Sequence, residues 1–157
     1  VAADVTNPDD MRRGLALARE RFGAIDGIFH AAGTVSDELI QLKLDADIER
    51  VFGPKVHGTQ VLDSLLEESG AKLLVLYSST SALIAPPGQV DYVAANAFMD
   101  AYAHGKRNDD VRTLSVNWGI WNEVGLAART LDPDASAEDS DAIVGVSPTA
   151  WRTQIVE

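Results

Sequence analysis

Four side chains of this sequence have the types and spacings for proton chemistry at a carbonyl group. Tyr92 and Asn96 stand four apart in YVAAN, which puts them on one face of any helix that carries them. Ser79 closes the apolar run KLLVLYSS, thirteen residues before Tyr92. Lys55 falls on the same helical stripe as Ile48, Val51, Phe52, Thr59, Leu62 and Leu66. A phenol with its ordinary pKa near 10 exchanges protons poorly at neutral pH unless a nearby cation stabilises the phenolate. Lys55 is the available cation, and the Ser79 hydroxyl can fix a carbonyl oxygen. Together they are the equipment for reducing a ketone: a proton donor for the developing alkoxide, a second donor to hold it, and a cation to tune the first.

Elements of the right kind surround these residues. Asn7 is a good N-cap, Pro8 suits a first helical turn and Asp9 and Asp10 suit its positive end, so a helix is expected over 8–22, closed by Gly23. IDGIFHAAG reads as a buried parallel strand that ends in small residues. A helix follows over about 45–68, with a kink expected at Gly53-Pro54. KLLVLYSS and RTLSVNW are further strands, and a helix over about 91–106 separates them. Strands alternating with long helices imply an α/β fold: a Rossmann-like, doubly wound parallel sheet with helices on both faces. In such a sheet ligands sit at the carboxyl ends of the strands. Gly33, Ser78 and Ser79, and Trp118 and Gly119 all fall on that rim, and the Pro86-Pro87-Gly88 turn returns the chain to it before Tyr92. Residues 129–146 are rich in acids and read as a loop or lid, and Ser147-Pro148 opens a short terminal helix over 147–157.

Bulk composition narrows the partners. A net charge of −11 disfavours nucleic acid and anionic membrane surfaces. With no cysteine there is no disulfide frame or thiolate chemistry, and His30, His57 and His104 lack metal spacing, so no metal is expected and the three histidines read as structural. No apolar run approaches the roughly 20 residues of a membrane span, and no signal-peptide pattern opens the chain, so a cytoplasmic location is expected.

The motifs HAAG at 30–33, SS at 78–79 and YVAAN at 92–96 resemble the short-chain dehydrogenase/reductase superfamily. GPKVHG at 53–58, PPGQVDYVAANAFMDA at 86–101 and NWGIW at 117–121 resemble, more narrowly, the ketoreductase domain of a modular polyketide synthase. Most of the superfamily carries the lysine four residues after the tyrosine; these ketoreductases exchange it with the asparagine, as Lys55 and Asn96 are exchanged here. The likeness covers about residues 1–128 and implies NADPH-dependent reduction of a β-ketoacyl thioester carried on the phosphopantetheine of an acyl carrier protein. It implies that Tyr92 protonates the alkoxide, Ser79 holds the ketone oxygen, Lys55 holds the cofactor ribose and lowers the Tyr92 pKa, and Asn96 supports the proton relay. Asp4 and Val5 would border the adenine, Ala31, Ala32 and Gly33 the adjoining ribose, and Trp118 and Gly119 the nicotinamide. Asp37, Pro87 and Gln89 would act on substrate and stereochemistry. Asp37 is the one member of a Leu-Asp-Asp triplet retained in Val35-Ser36-Asp37, and Ile84 stands where the opposite stereochemical class has tryptophan, so the D-alcohol is expected.

No GxGxxG loop occurs in the sequence. The chain therefore reads as the later part of such a domain, lacking its first strands and phosphate loop, and is expected alone neither to bind NADPH tightly nor to turn over. The missing part and other synthase domains are its expected partners. Two alternatives differ in class: a non-catalytic structural module of the same fold, against which Ser79, Tyr92 and Lys55 argue, and a stand-alone reductase of small ketones, against which the exchanged lysine and asparagine argue.

Overall fold

A computed structural model of the chain describes residues 1–106, 110–120 and 154–156. Helix α1 (Pro8–Phe22) begins as its sequence dictates, with the Asn7 side chain accepting from the N–H groups of Asp9 and Asp10 at 2.9 and 3.3 Å. Strand β1 (Gly27–His30) follows. Then come α2 (Asp45–Phe52), a π-helical turn (Gly53–His57), α3 (Gly58–Ser64) and α4 (Leu66–Ser69) as one nearly continuous rod. Strand β2 (Leu73–Ser79), the short helix α5 (Ser81–Ile84), α6 (Val90–Gly105) and β3 (Arg112–Trp118) complete the parallel unit, and β4 (Gln154–Val156) is added to its edge.

The sheet runs β1-β2-β3-β4, parallel through β3. Its register sets Ser78 beside Asn117 and Ser79 beside Trp118, while β1 stops with His30 beside Leu76. The rim therefore steps down at β1, and the chain leaving His30 brings Gly33 against Lys55. Helix α6 buries Asp91, Ala95, Asn96, Met99 and Ala103, a stripe at helical spacing. Met99 and Ala103 pack with Leu66, Leu74 and Leu76 in the main core cluster. Each fully buried leucine contributes about 1.5–3 kcal/mol, so β2 and α6 are the rigid pair from which the site is hung.

Two segments take a form the sequence does not spell out. At Gly53-Pro54 the rod widens by one residue, with the Gly58 N–H donating to the Gly53 carbonyl five residues back. Proline has no N–H to give to the regular ladder, and the wide turn absorbs the mismatch without breaking the helix. The terminal helix expected over 147–157 is also not what its end forms: Gln154–Val156 pair antiparallel with Ser115–Asn117. β3 presents an open edge of backbone donors and acceptors there, and Ile155 and Val156 are β-branched, so strand pairing outweighs the local helix signal. The acidic segment 129–146 and Trp121 lie outside the described residues.

Among the described residues, no helix is long and apolar enough to cross a membrane, and no cluster of His, Asp or Glu side chains is placed to hold a metal ion.

Candidate active site

β2 delivers Ser79 at its carboxyl end, and α6 delivers Tyr92 and Asn96 one turn apart on its inward face. The π turn delivers Lys55. It is 4% exposed, and its Nζ donates to the Tyr77 carbonyl at 2.9 Å while lying 5.5 Å from the Tyr92 ring centroid. Its own carbonyl is held by the Thr59 hydroxyl at 2.5 Å, and the neighbouring Pro54 carbonyl lies 2.9 Å from His30 Nε2. Phenol, ammonium and strand-end hydroxyl thus converge from three separate elements.

The electrostatics follow from burial. Lys55 is pushed down to about 8, chiefly because its ammonium is out of water, with the Asp100 carboxylate pulling the other way. His30 is pushed down to about 4 by burial first and by the Lys55 charge second, against the Pro54 carbonyl, so it is neutral at pH 7 and its Nε2–H donates. Burial raises the Tyr92 phenol above its ordinary value, and the Asp37 charge adds to this; hydrogen bonds from Ser79 and Asn96 act in the opposite sense. The net direction is upward, because loss of water around the phenol outweighs the stabilising groups.

Asn96 reaches its place through its backbone neighbours, its Nδ2 donating to the Tyr92 carbonyl at 2.7 Å while Oδ1 is buried with no hydrogen-bond partner among the described residues. Ser79 Oγ accepts from the Ser81 N–H at 3.1 Å, at the start of α5 and ahead of the Pro86-Pro87-Gly88 turn. Gly33 is where a side chain would crowd the lysine: a Cβ there would lie 3.1 Å from Lys55 Cε and 3.5 Å from Nζ. It is brought against the lysine, with Ala31 and Ala32 exposed beside it. Trp118 lies half-buried with its ring centroid 5.4 Å from that of Tyr77, and Gly119 follows it on the rim. Val5 packs on Gly58, while the exposed Asp4 turns its carboxylate back to the N–H and hydroxyl of Thr6. Asp4 and Val5 thus stand beside the rod rather than beside Tyr92. Gln89 Nε2 donates to Asp37 Oδ2 at 2.9 Å, and Pro87 is exposed next to them.

The sequence reading missed two charged residues at this site. Lys43 Nζ donates to Asp91 Oδ2 at 2.6 Å, with the two side chains 1% and 2% exposed. Asp91 had a signal in its place beside Tyr92, but as a first-turn acid it reads only as a helix start; Lys43 had none, since its partner lies 48 residues on. Asp100, whose carboxylate accepts from the Ser115 hydroxyl at 2.6 Å, continues the row of Tyr92 and Asn96 by another four residues.

A bound nicotinamide nucleotide fits the groups present. An ammonium has three N–H donors and, among the described residues, Lys55 meets one acceptor, leaving donors for ribose hydroxyls beside the side-chain-free Gly33. The Tyr77 and Trp118 rings are flat apolar surfaces on the same rim.

Comparison with known proteins identifies the family. The family described as KR domain matches residues 1–123. The chain is 37% identical over 131 residues to a 6-methylsalicylic acid synthase of Arthrobotrys oligospora, covering 83% of this chain and 7% of that protein. It is 38% identical over 130 residues to a phenolphthiocerol/phthiocerol polyketide synthase of Mycobacterium tuberculosis, covering 82% of this chain and again 7% of the relative. The chain therefore spans a small part of these curated relatives. Among solved structures, a ketoreductase domain from the bacillaene assembly line superposes with a TM-score of 0.73 at 32% identity, over 88% of this chain and 34% of that one. A-type ketoreductases from a modular polyketide synthase superpose with a TM-score of 0.75 at 29% identity, over 88% and 28%.

Proposed function

The chain belongs to the KR domain family, whose solved members include polyketide synthase ketoreductases, and from that premise we propose that it carries the catalytic half of an NADPH-dependent β-ketoacyl reductase. The substrate is a β-ketoacyl thioester on the phosphopantetheine arm of an acyl carrier protein, and the product is the β-hydroxyacyl thioester. The parent protein is a larger synthase that supplies the carrier protein and the phosphate-binding part of the cofactor site. The observation that carries this reading is the convergence on Tyr92: Lys55 Nζ lies 5.5 Å from its ring centroid, and Ser79 and Asn96 are placed to favour its ionised form.

When bound, the nicotinamide supplies hydride to the ketone carbon. This chain's residues manage the oxygen. The Ser79 hydroxyl donates to the ketone oxygen and fixes it within reach of Tyr92. As negative charge grows on that oxygen the Tyr92 hydroxyl gives up its proton to it, and the Lys55 ammonium, one ring away, stabilises the phenolate left behind. Burial makes Tyr92 hold its proton in the resting site, so the proton leaves only when the alkoxide is there to take it. Asn96 supports the path that returns a proton, Lys55 also holds the ribose, and Asp4, Val5, Ala31, Ala32, Gly33, Trp118 and Gly119 line the remainder of the nucleotide site.

Full-length protein, NADPH and the acetoacetyl thioester of N-acetylcysteamine test the reading. Tyr92→Phe should lower kcat by about 10²-fold or more while NADPH affinity stays nearly whole. Loss of cofactor affinity with turnover preserved overturns the assignment of Tyr92, and no reduction by the unsubstituted protein overturns the reductase.

A further inference from the structure

The segment between β1 and α2 is stitched to the turn that starts α6 at three points. The Glu38 N–H donates to the Gly88 carbonyl at 3.0 Å, Gln89 Nε2 donates to Asp37 Oδ2 at 2.9 Å, and Lys43 Nζ donates to Asp91 Oδ2 at 2.6 Å. The first two links lie where water competes for them. The third is out of water, with side chains 1% and 2% exposed. Lys43 also donates to the Ser36 carbonyl, so the ammonium gathers its own loop as well as the helix.

Asp91 uses both carboxylate oxygens. Oδ2 takes the Lys43 ammonium, and Oδ1 accepts the backbone N–H of Tyr92 at 2.9 Å. One carboxylate therefore joins the loop to the residue that carries the phenol. A buried ion pair is weak evidence for stability, because removing two charges from water costs as much as their attraction returns. What such a pair does supply is a single permitted geometry, since an offset ammonium leaves a buried charge without a partner. The loop it fixes is bound to the residues just before Tyr92, through Asp37 on Gln89 and through Lys43 on Asp91.

We propose that the Lys43–Asp91 pair is a specificity-determining tether, which holds residues 36–43 at one distance from the Tyr92 hydroxyl so that the acyl chain enters from one side and one face of the ketone meets the hydride. Neither residue touches the reacting atoms; both are positioning residues. The inference rests on the reduction proposed above and names what sets its stereochemical outcome.

The test uses the full-length protein with NADPH and the acetoacetyl thioester of N-acetylcysteamine, reading the enantiomer ratio of the 3-hydroxybutanoyl product alongside kcat and KM. Lys43→Met alone strands the Asp91 carboxylate and risks misfolding. Lys43→Met with Asp91→Asn removes both charges and leaves an amide oxygen to accept the Tyr92 N–H, so this variant is expected to fold, which its circular dichroism and melting temperature check. The unsubstituted protein should give one enantiomer in large excess. In the double variant that excess should fall about tenfold, KM for the thioester should rise severalfold and kcat should fall less than KM rises, because the tether acts on how substrate is held. A merely structural pair would lower the melting temperature and leave the ratio alone. An unchanged ratio in the folded double variant overturns the tether, as does a racemic product from the unsubstituted protein. No reduction at all by the unsubstituted protein overturns the underlying reductase and the tether with it.

Discussion

His30 Nε2 donates to the carbonyl oxygen of Pro54 at 2.9 Å, which ties the end of β1 to the π turn that carries Lys55. The ring must be neutral to do so at ordinary cost, and burial holds its pKa at about 4. A folded-state pKa depressed below the unfolded 6.5 means the unfolded chain binds the extra proton. The stability this residue contributes is thus fully present above pH 6.5 and is lost as pH falls toward 4, a swing of about 3 kcal/mol.

His30→Gln keeps an amide donor near the Pro54 carbonyl and removes the titration. Urea unfolding of the full-length protein at pH 7 and pH 4.5 should show the unsubstituted domain losing more stability between those values than the variant, by about 2–3 kcal/mol. Equal losses would show that His30 is not held neutral by the fold.

Lys55 should be a costly residue to keep. Its pKa of about 8 lies below its unfolded 10.5, so the buried ammonium penalises folding below pH 8 and the penalty fades as pH rises from 8 toward 10.5. Lys55→Met is therefore expected to be more stable than the parent at pH 7 by about 1–3 kcal/mol, with the advantage shrinking by pH 10, while reduction falls at least about 10²-fold. A less stable Lys55→Met protein at pH 7 would mean the site offers the ammonium more compensation than the Tyr77 carbonyl and Asp100.

Gly33 should report on the same lysine. Alanine there would bring Cβ to 3.1 Å from Lys55 Cε, so a buried side chain must shift by a few tenths of an ångström. Gly33→Ala should lower kcat/KM by about tenfold. Added to Lys55→Met it should cost little more, since the group it displaces is already gone. Additive losses in the double variant would place the effect of Gly33 elsewhere, in nucleotide contact alone.

Gly58 tests how the early chain is held on the rod. A Cβ at this position would stand 2.8 Å from Val5 Cγ1 and 3.1 Å from Cγ2. Gly58→Ala should destabilise by about 1–3 kcal/mol, and Val5→Ala in the same protein should restore most of it. Thermal unfolding of the four proteins of this cycle decides the point; a benign Gly58→Ala would mean the residues before α1 are not seated on α3.

What could be read in the sequence divides by range. Asn7-Pro8 and the apolar spacing after them locate α1, and the continuous apolar run ending in Ser78-Ser79 locates β2, because caps and periodicity are local. The grouping of Ser79, Tyr92, Lys55 and Asn96 was legible because rim position, helix face and resemblance all pointed to it. The wide turn at Gly53–His57 was not, since a proline in a helical pattern reads equally as a kink, and only packing on β1 and β2 selects the extra residue. The strand at Gln154–Val156 was hidden for a related reason: Ser147-Pro148 speaks for a helix locally, whereas the strand depends on an edge of β3 formed elsewhere. Lys43 and Asp91 are both ordinary surface-type residues in composition, and only the tertiary fold buries them together.

The bulge in the rod at Gly53–His57 has a consequence for chain length. It is an insertion already accommodated, so deleting one residue between Phe52 and Gly58 would let the backbone relax into an ordinary helix while the residues beyond keep their face. Thr59 and Leu62 would stay inside, whereas Lys55, which the wide turn itself carries, would be drawn off its carbonyl anchor. The segment can change its letters more safely than its count.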